Sequence, residues 1–139
     1  MSFVLDSSVV MSWLLEDESD PYADRVEDLL YGQRATVPPL WLYEVVNVLL
    51  QASRRGRISE DYAQWALSFL VTLPIDIDGG DLWDYSLNIN QLARRHDLTA
   101  YDAAYLELAL RHGIPLATMD KRLMQAAKAE QLFLVREDS

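Results

Sequence analysis

The 139-residue sequence has no cysteine, two histidines (His96 and His112), and only 12 lysines and arginines against 22 aspartates and glutamates. Without cysteine there are no disulfides and no thiolate metal sites, and two histidines are too few for an ordinary zinc site. Any resident metal must therefore be held by oxygen. Long apolar runs are also missing: nothing approaches the roughly 20 residues of a membrane span. The opening "MSFVLDSS" has no basic segment, and Asp6 breaks its apolar run. No leader is expected, and the chain reads as soluble, cytoplasmic and without a membrane partner. A formal net charge of −10 excludes a generally adhesive nucleic-acid binder, because affinity for phosphate backbones rests on clustered Lys and Arg. Bases do group locally at Arg54, Arg55 and Arg57, at Arg94 and Arg95, and at Lys121 and Arg122. Each group reads first as a solvated helix end, and together they leave room for a locally basic rim.

Half of the residues are hydrophobic, enough to bury a core within a single domain spanning 1–139. Short apolar runs alternate with helical patterns. "FVL" ends at Asp6 and is followed by a serine-capped helix; Asp20 and Pro21 open a second helix that Gly32 closes; "ATV" is a second strand. Pro39 begins a long helix stopped by Gly56, and Ser59 caps its hairpin partner. "PIDI", "PLAT" and "LFLV" are further strands, separated by helices over 81–96, 99–112 and 120–129. Such alternation predicts an α/β fold: a short-stranded, mainly parallel sheet covered by helices on both faces. Ligands of such sheets sit beyond the carboxyl ends of the strands. The segment "DIDGGD" (76–81) lacks the ligand series and terminal glutamate of a calcium loop and reads as strand, turn and cap.

Four acids stand out against this frame. Asp6 and Asp120 each follow a strand at once, where either would also serve as a helix cap. In "LTAYDAAYLELAL", Asp102 projects on the side of Tyr105, Leu106 and Ala109, while Glu107 and Arg111 fall opposite and read as solvated. Thr99 and Asp102 also fit a capping box. In "PPLWLYEVVNVLLQASRR", Glu44 shares a narrow polar stripe with Asn47, Gln51, Arg54 and Arg55. The broad apolar arc around it predicts burial on more than one side and leaves surface for a dimer contact between helical hairpins. If all four acids face one cleft, each close pair repels by up to about 4 kcal/mol at an effective dielectric near 20. A divalent cation relieves that repulsion, and oxygen-only ligands select Mg²⁺ or Mn²⁺. Such an ion activates water and stabilises charge in phosphodiester hydrolysis.

The motifs "FVLDSSVVMSWLL", "PPLWLYEVVNVL", "LTAYDAAYLELA" and "LATMDKRL", in that order, resemble those of PIN-domain ribonucleases, and within that family the VapC-type toxins of type II toxin–antitoxin systems. The resemblance covers nearly the whole chain. It implies a three-layer α/β/α sandwich, a Mg²⁺- or Mn²⁺-dependent endoribonuclease, a homodimer, and a small cognate antitoxin protein as inhibitor. By motif, Asp6, Glu44, Asp102 and Asp120 would form the catalytic, metal-binding site, with Ser8, Asn47 and Thr118 as supporting polar groups. Arg54, Arg55, Arg94, Arg95, Lys121 and Arg122 are the candidate RNA contacts, the substrate being a tRNA or another structured RNA. Two other readings compete: a catalytically degenerate PIN-like module that only binds RNA or protein, and an aspartate-nucleophile phosphatase. Phosphatases of that type carry D-x-D, whereas this chain has Ser8 at the third position.

Overall fold

In the computed structural model, which describes residues 2–135, the apolar run after the N-terminus becomes β1 (Ser2–Leu5), with Phe3, Val4 and Leu5 all buried. A strand apolar on both faces belongs at the centre of a parallel sheet, and β1 takes that place. It pairs in parallel with β2 (Arg34–Val37) on one side and β4 (Leu116–Ala117) on the other, and β3 (Ile75–Ile77) lies beyond β2. The sheet order β3-β2-β1-β4 therefore reverses at β1: the chain moves outward through β2 and β3, then crosses back to β4. The gap between the carboxyl ends of β1 and β4 is the switch point at which α/β sheets bind ligands.

Helices α1 (Ser7–Leu14), α2 (Pro21–Leu29), α3 (Leu40–Arg54), α4 (Glu60–Val71), α5 (Trp83–His96), α6 (Ala100–His112) and α7 (Lys121–Ala129) complete a three-layer α/β/α sandwich. Their ends follow the expected chemistry. Asp20, Ser59, Thr99 and Asp120 accept hydrogen bonds from the first-turn N–H groups of α2, α4, α6 and α7. Gly113 ends α6 at φ 65°, a conformation that glycine adopts without steric cost, and Asp97 ends α5 at φ 53°, where a side chain is strained. No helix among the described residues is long and apolar enough to cross a membrane.

Three expectations are modified. The segment 132–135 contributes a single parallel bridge, Phe133 to Leu116, rather than a strand; the Leu116 N–H donates to the Leu132 carbonyl and the Leu134 N–H to the Leu116 carbonyl. Helix α3 buries one face, through Trp41, Val45, Leu49 and Ala52, while Leu42, Val46 and Leu50 remain about 40% exposed. The second covered side expected from its apolar arc is thus absent from a single chain.

The third change concerns Glu107, which is 4% exposed rather than solvated. α6 packs against α5 as well as β1, β4 and α7, so its polar side is enclosed too. Burial is compensated by a fork of hydrogen bonds from Arg111, whose Nε and Nη2 reach the two Glu107 oxygens at 2.9 and 3.2 Å. Arg111 also donates to Asp78 at 2.9 Å and lies 3.7 Å from the Tyr85 ring centroid, which ties the turn after β3 and the start of α5 to α6. Within β3 itself Asp76 pairs with Arg34, and after the turn Asp81 accepts from the Trp83 N–H, so the acids of "DIDGGD" are employed as local partners.

Candidate active site

Parallel register brings the first acid to the switch point. Leu5 pairs with Ala117, so Asp6 and Thr118 leave the sheet side by side. Asp6 stands at the N-cap position of α1, yet its side chain makes no capping hydrogen bond. Its Oδ2 instead accepts from Ser8 Oγ at 2.6 Å and from Thr118 Oγ1 at 2.7 Å. Each of those hydroxyls also accepts a backbone N–H, from Met119 at 3.0 Å and from Asp120 at 3.1 Å. With its acceptor face occupied, each hydroxyl has its proton directed at Asp6. The arrangement fixes a buried carboxylate by one oxygen and leaves Oδ1 without a hydrogen bond among the described residues.

Two other acids show the same division. Glu44 projects from the middle of α3, and its Oε1 accepts from Tyr105 on α6 at 2.5 Å and from Ser7 at the start of α1 at 3.3 Å. Its Oε2 has no hydrogen bond among the described residues. Asp120 uses Oδ1 to accept from the Leu123 N–H at 2.9 Å, so this acid does cap its helix while keeping a second oxygen. Asp102 lies in the first turn of α6, which Thr99 caps through the Asp102 N–H at 3.1 Å. Among the described residues no return bond from the Thr99 N–H to Asp102 completes a capping box. Ala103 and Ala109, fully buried, let α6 lie close against the sheet.

The four acids act on one another electrostatically. Burial pushes the Asp6 carboxyl above its ordinary range, the charges of Glu44 and Asp120 add to this, and the Ser8 and Thr118 hydroxyls oppose it. Half-burial raises Glu44, with Asp102 adding to the effect against the hydrogen bonds from Tyr105 and Ser7. Asp102 is pushed up to about 6 by burial and then by Asp120 and Asp6. No Lys or Arg among the described residues forms a salt bridge with any of the four. The acids therefore form one uncompensated negative site. They do not form a closed cage: among the described residues, no three His, Cys, Asp or Glu side chains are gathered as a ready-made metal-binding group.

The supporting and basic candidates divide. Ser8 and Thr118 join the site, whereas Asn47 is exposed, with no hydrogen bond to the acids among the described residues. Arg54, Arg55 and Lys121 are exposed; Arg94 binds Asn90, Arg95 binds Glu130, and Arg122 reaches Asp97 at 3.5 Å. Tyr105 and Ser7 were not singled out as site residues from the sequence. The signal for Tyr105 was available: it shares the face of Asp102, and a tyrosine hydroxyl in a buried run must find an acceptor. A cavity of about 460 Å³ between the end of α1 and the start of α4, lined by Leu14, Leu15, Arg57 and Tyr62 among others, holds none of the four acids.

Residues 3–129 match the PIN domain. The chain is 29% identical over 137 residues to the ribonuclease VapC3 of Pyrobaculum aerophilum, covering 90% of this chain and 94% of that protein. Among solved structures, it is similar to Mycobacterium tuberculosis VapC20, a sarcin-ricin loop cleaving toxin, with a TM-score of 0.66 at 14% identity over 97% of this chain and 99% of that one. It is also similar to a chain of VapBC2 from Rickettsia felis bound to a promoter DNA fragment, with a TM-score of 0.66 at 13% identity over 95% and 93% of the two chains.

Proposed function

The chain belongs to the PIN-domain family, and from that premise we propose that it is a Mg²⁺- or Mn²⁺-dependent endoribonuclease, the toxin of a toxin–antitoxin pair, with Asp6, Glu44, Asp102 and Asp120 as its catalytic acids. One observation carries the reading. Asp6, Glu44 and Asp120 are each held by the protein through one oxygen, with the other left over, in a site that no basic side chain among the described residues neutralises. Helix capping accounts for Asp120 alone; it does not account for Asp6, which occupies a cap position without capping.

The donor chemistry fits a small, hard cation. Every candidate ligand is an oxygen, the donor type Mg²⁺ takes, and that ion binds through one or two carboxylates with waters completing its shell. Bound there, such an ion supplies Lewis-acid stabilisation of charge on phosphoryl oxygens and increases the acidity of a coordinated water. The protein's own part is orientation. Ser8 and Thr118 aim Asp6, the α7 cap aims Asp120, and α6 carries Asp102 to the strand ends.

RNA as substrate and an antitoxin as partner are supported by the ribonuclease VapC3 relative and by the similarity to toxins solved in VapBC complexes. An antitoxin presenting a cationic side chain to the acids would neutralise the site directly. Leu42, Val46 and Leu50 on α3 offer an apolar strip for a second copy of the chain. Of the candidate RNA contacts, exposed Arg54, Arg55, Arg94 and Lys121 make no ion pair among the described residues and are left to meet a phosphate backbone. The test is incubation of purified, antitoxin-free protein with total RNA, with Mg²⁺ or Mn²⁺ and with a chelator. Discrete cleavage products that require the ion support the proposal; metal-independent cleavage, or none under any ionic condition, overturns it.

A further inference from the structure

Glu44 differs from the other acids in where it comes from. Asp6 and Asp120 sit on short turns at strand ends, whereas Glu44 extends from the middle of α3 on a side chain with three rotatable bonds, whose freedom must be lost when it binds anything. Two hydroxyls from other elements remove that freedom in advance. Tyr105 is fully buried on α6, one turn after Asp102, and its hydroxyl donates to Glu44 Oε1. Ser7, the residue after Asp6, donates to the same oxygen. One carboxylate oxygen thus takes both hydrogen bonds and the other takes none among the described residues, so Glu44 is gripped between the elements that carry Asp6 and Asp102.

We propose that Tyr105 is a positioning residue for Glu44: its hydroxyl, assisted by Ser7, holds Oε1 so that Oε2 is presented to the cation site between Asp6, Asp102 and Asp120. The phenol ring fills the core as a phenylalanine would, and the hydroxyl serves the site. This rests on the reading of the four acids as a cation site. Hydrogen bonds to a ligand's non-coordinating atom set its orientation, and their removal lowers metal affinity by about 10- to 100-fold.

Calorimetric titration of the purified full chain with Mn²⁺ tests this without reference to cleavage. Tyr105→Phe should lower Mn²⁺ affinity about tenfold while the metal-free Tm stays within a few degrees of wild type. Adding Ser7→Ala should bring affinity down to that of Glu44→Ala. Wild-type Mn²⁺ affinity in Tyr105→Phe, alongside lost affinity in Asp102→Asn, overturns the positioning role and leaves the cation site standing. No Mn²⁺ binding by wild type, or equal binding by wild type and Asp102→Asn, overturns the cation site and the positioning role with it. If Tyr105→Phe does not fold, Ser7→Ala alone decides: weakened binding supports the grip on Glu44 and unchanged affinity overturns it.

Discussion

Thr118 stitches the two strand ends of the switch point together: its hydroxyl takes the Asp120 N–H and gives its proton to Asp6 Oδ2 at 2.7 Å. Both partners are almost completely inaccessible, Thr118 at 0% and Asp6 at 4% exposure. In such surroundings a hydrogen bond to a charged group is strong, and its loss leaves the Asp6 carboxylate with Ser8 as its remaining side-chain donor among the described residues.

Thr118→Val keeps the shape of the side chain and removes that donor. The expected cost is about 1 to 3 kcal/mol of stability, measured by denaturant unfolding at neutral pH. Thr118→Ser, which keeps the hydroxyl, should recover most of it. Equal stability of the Val and Ser variants would mean that Thr118 contributes packing alone.

Asp102 should make the metal-free protein less stable as pH rises. Its folded pKa, about 6, lies above the 3.8 of an ordinary aspartate, so between these values the folded state binds more protons than the unfolded state. The contribution is fully present below about 4 and is lost as pH rises through about 6. Asp102→Asn should flatten this part of the pH–stability curve and match or exceed wild-type stability at pH 7, and Mn²⁺ should raise the Tm of wild type but not of the variant. A helix cap would behave otherwise, costing roughly 0.5 to 2 kcal/mol with or without metal.

Arg111→Ala strands the buried Glu107 carboxylate and removes one of the two partners of Asp78, leaving His112. A loss of about 3 kcal/mol is expected, by analogy with breaking one side of a buried ion pair. The paired change Arg111→Met with Glu107→Leu should restore much of that stability, since the buried Glu107 charge is removed together with its partner and Asp78 keeps its contact with His112 at 3.2 Å. A double variant no more stable than Arg111→Ala would contradict this account of the pair.

Asp97 ends α5 in the left-handed region, at φ 53°, and its contact with Arg122 is long and solvent-exposed. Asp97→Gly should therefore raise Tm by about 2 to 4 °C, the relief of backbone strain outweighing the added chain entropy and a surface ion pair of little worth. Thermal unfolding followed by circular dichroism reads the change; a lowered Tm would show that the ion pair matters more than the backbone.

Part of this fold and site is legible in the order of the residues, and part depends on contacts between distant segments. Asp6 and Asp120 were legible because each terminates an apolar run in an alternating α/β pattern, and parallel topology brings such positions to one edge. Asp102 was legible as an acid on a packing face. Glu107 was misread because a helical wheel tells which residues share a side without telling what each side meets, and α6 is enclosed on its polar side as well. Tyr105 passed for core filling because its phenol ring satisfies the same periodicity as leucine, and only the fold reveals the carboxylate 61 positions away in sequence that accepts its proton. The apolar arc of α3 predicts burial on more than one side, but within one chain only one face of that helix is covered, because a wheel does not say whether a neighbour is there to cover the other. The run 132–135 is apolar enough for a strand, yet Phe133 alone makes the bridge to Leu116.

If the four acids operate as one RNA-cleaving unit, single-turnover cleavage by Asp6→Asn, Asp102→Asn and the double variant will reveal it. In a unit the losses do not add. Each single variant should fall about a hundredfold or more below wild type in Mn²⁺, with the double variant little lower than the worse single one. Cleavage at the wild-type rate by both single variants would contradict the account.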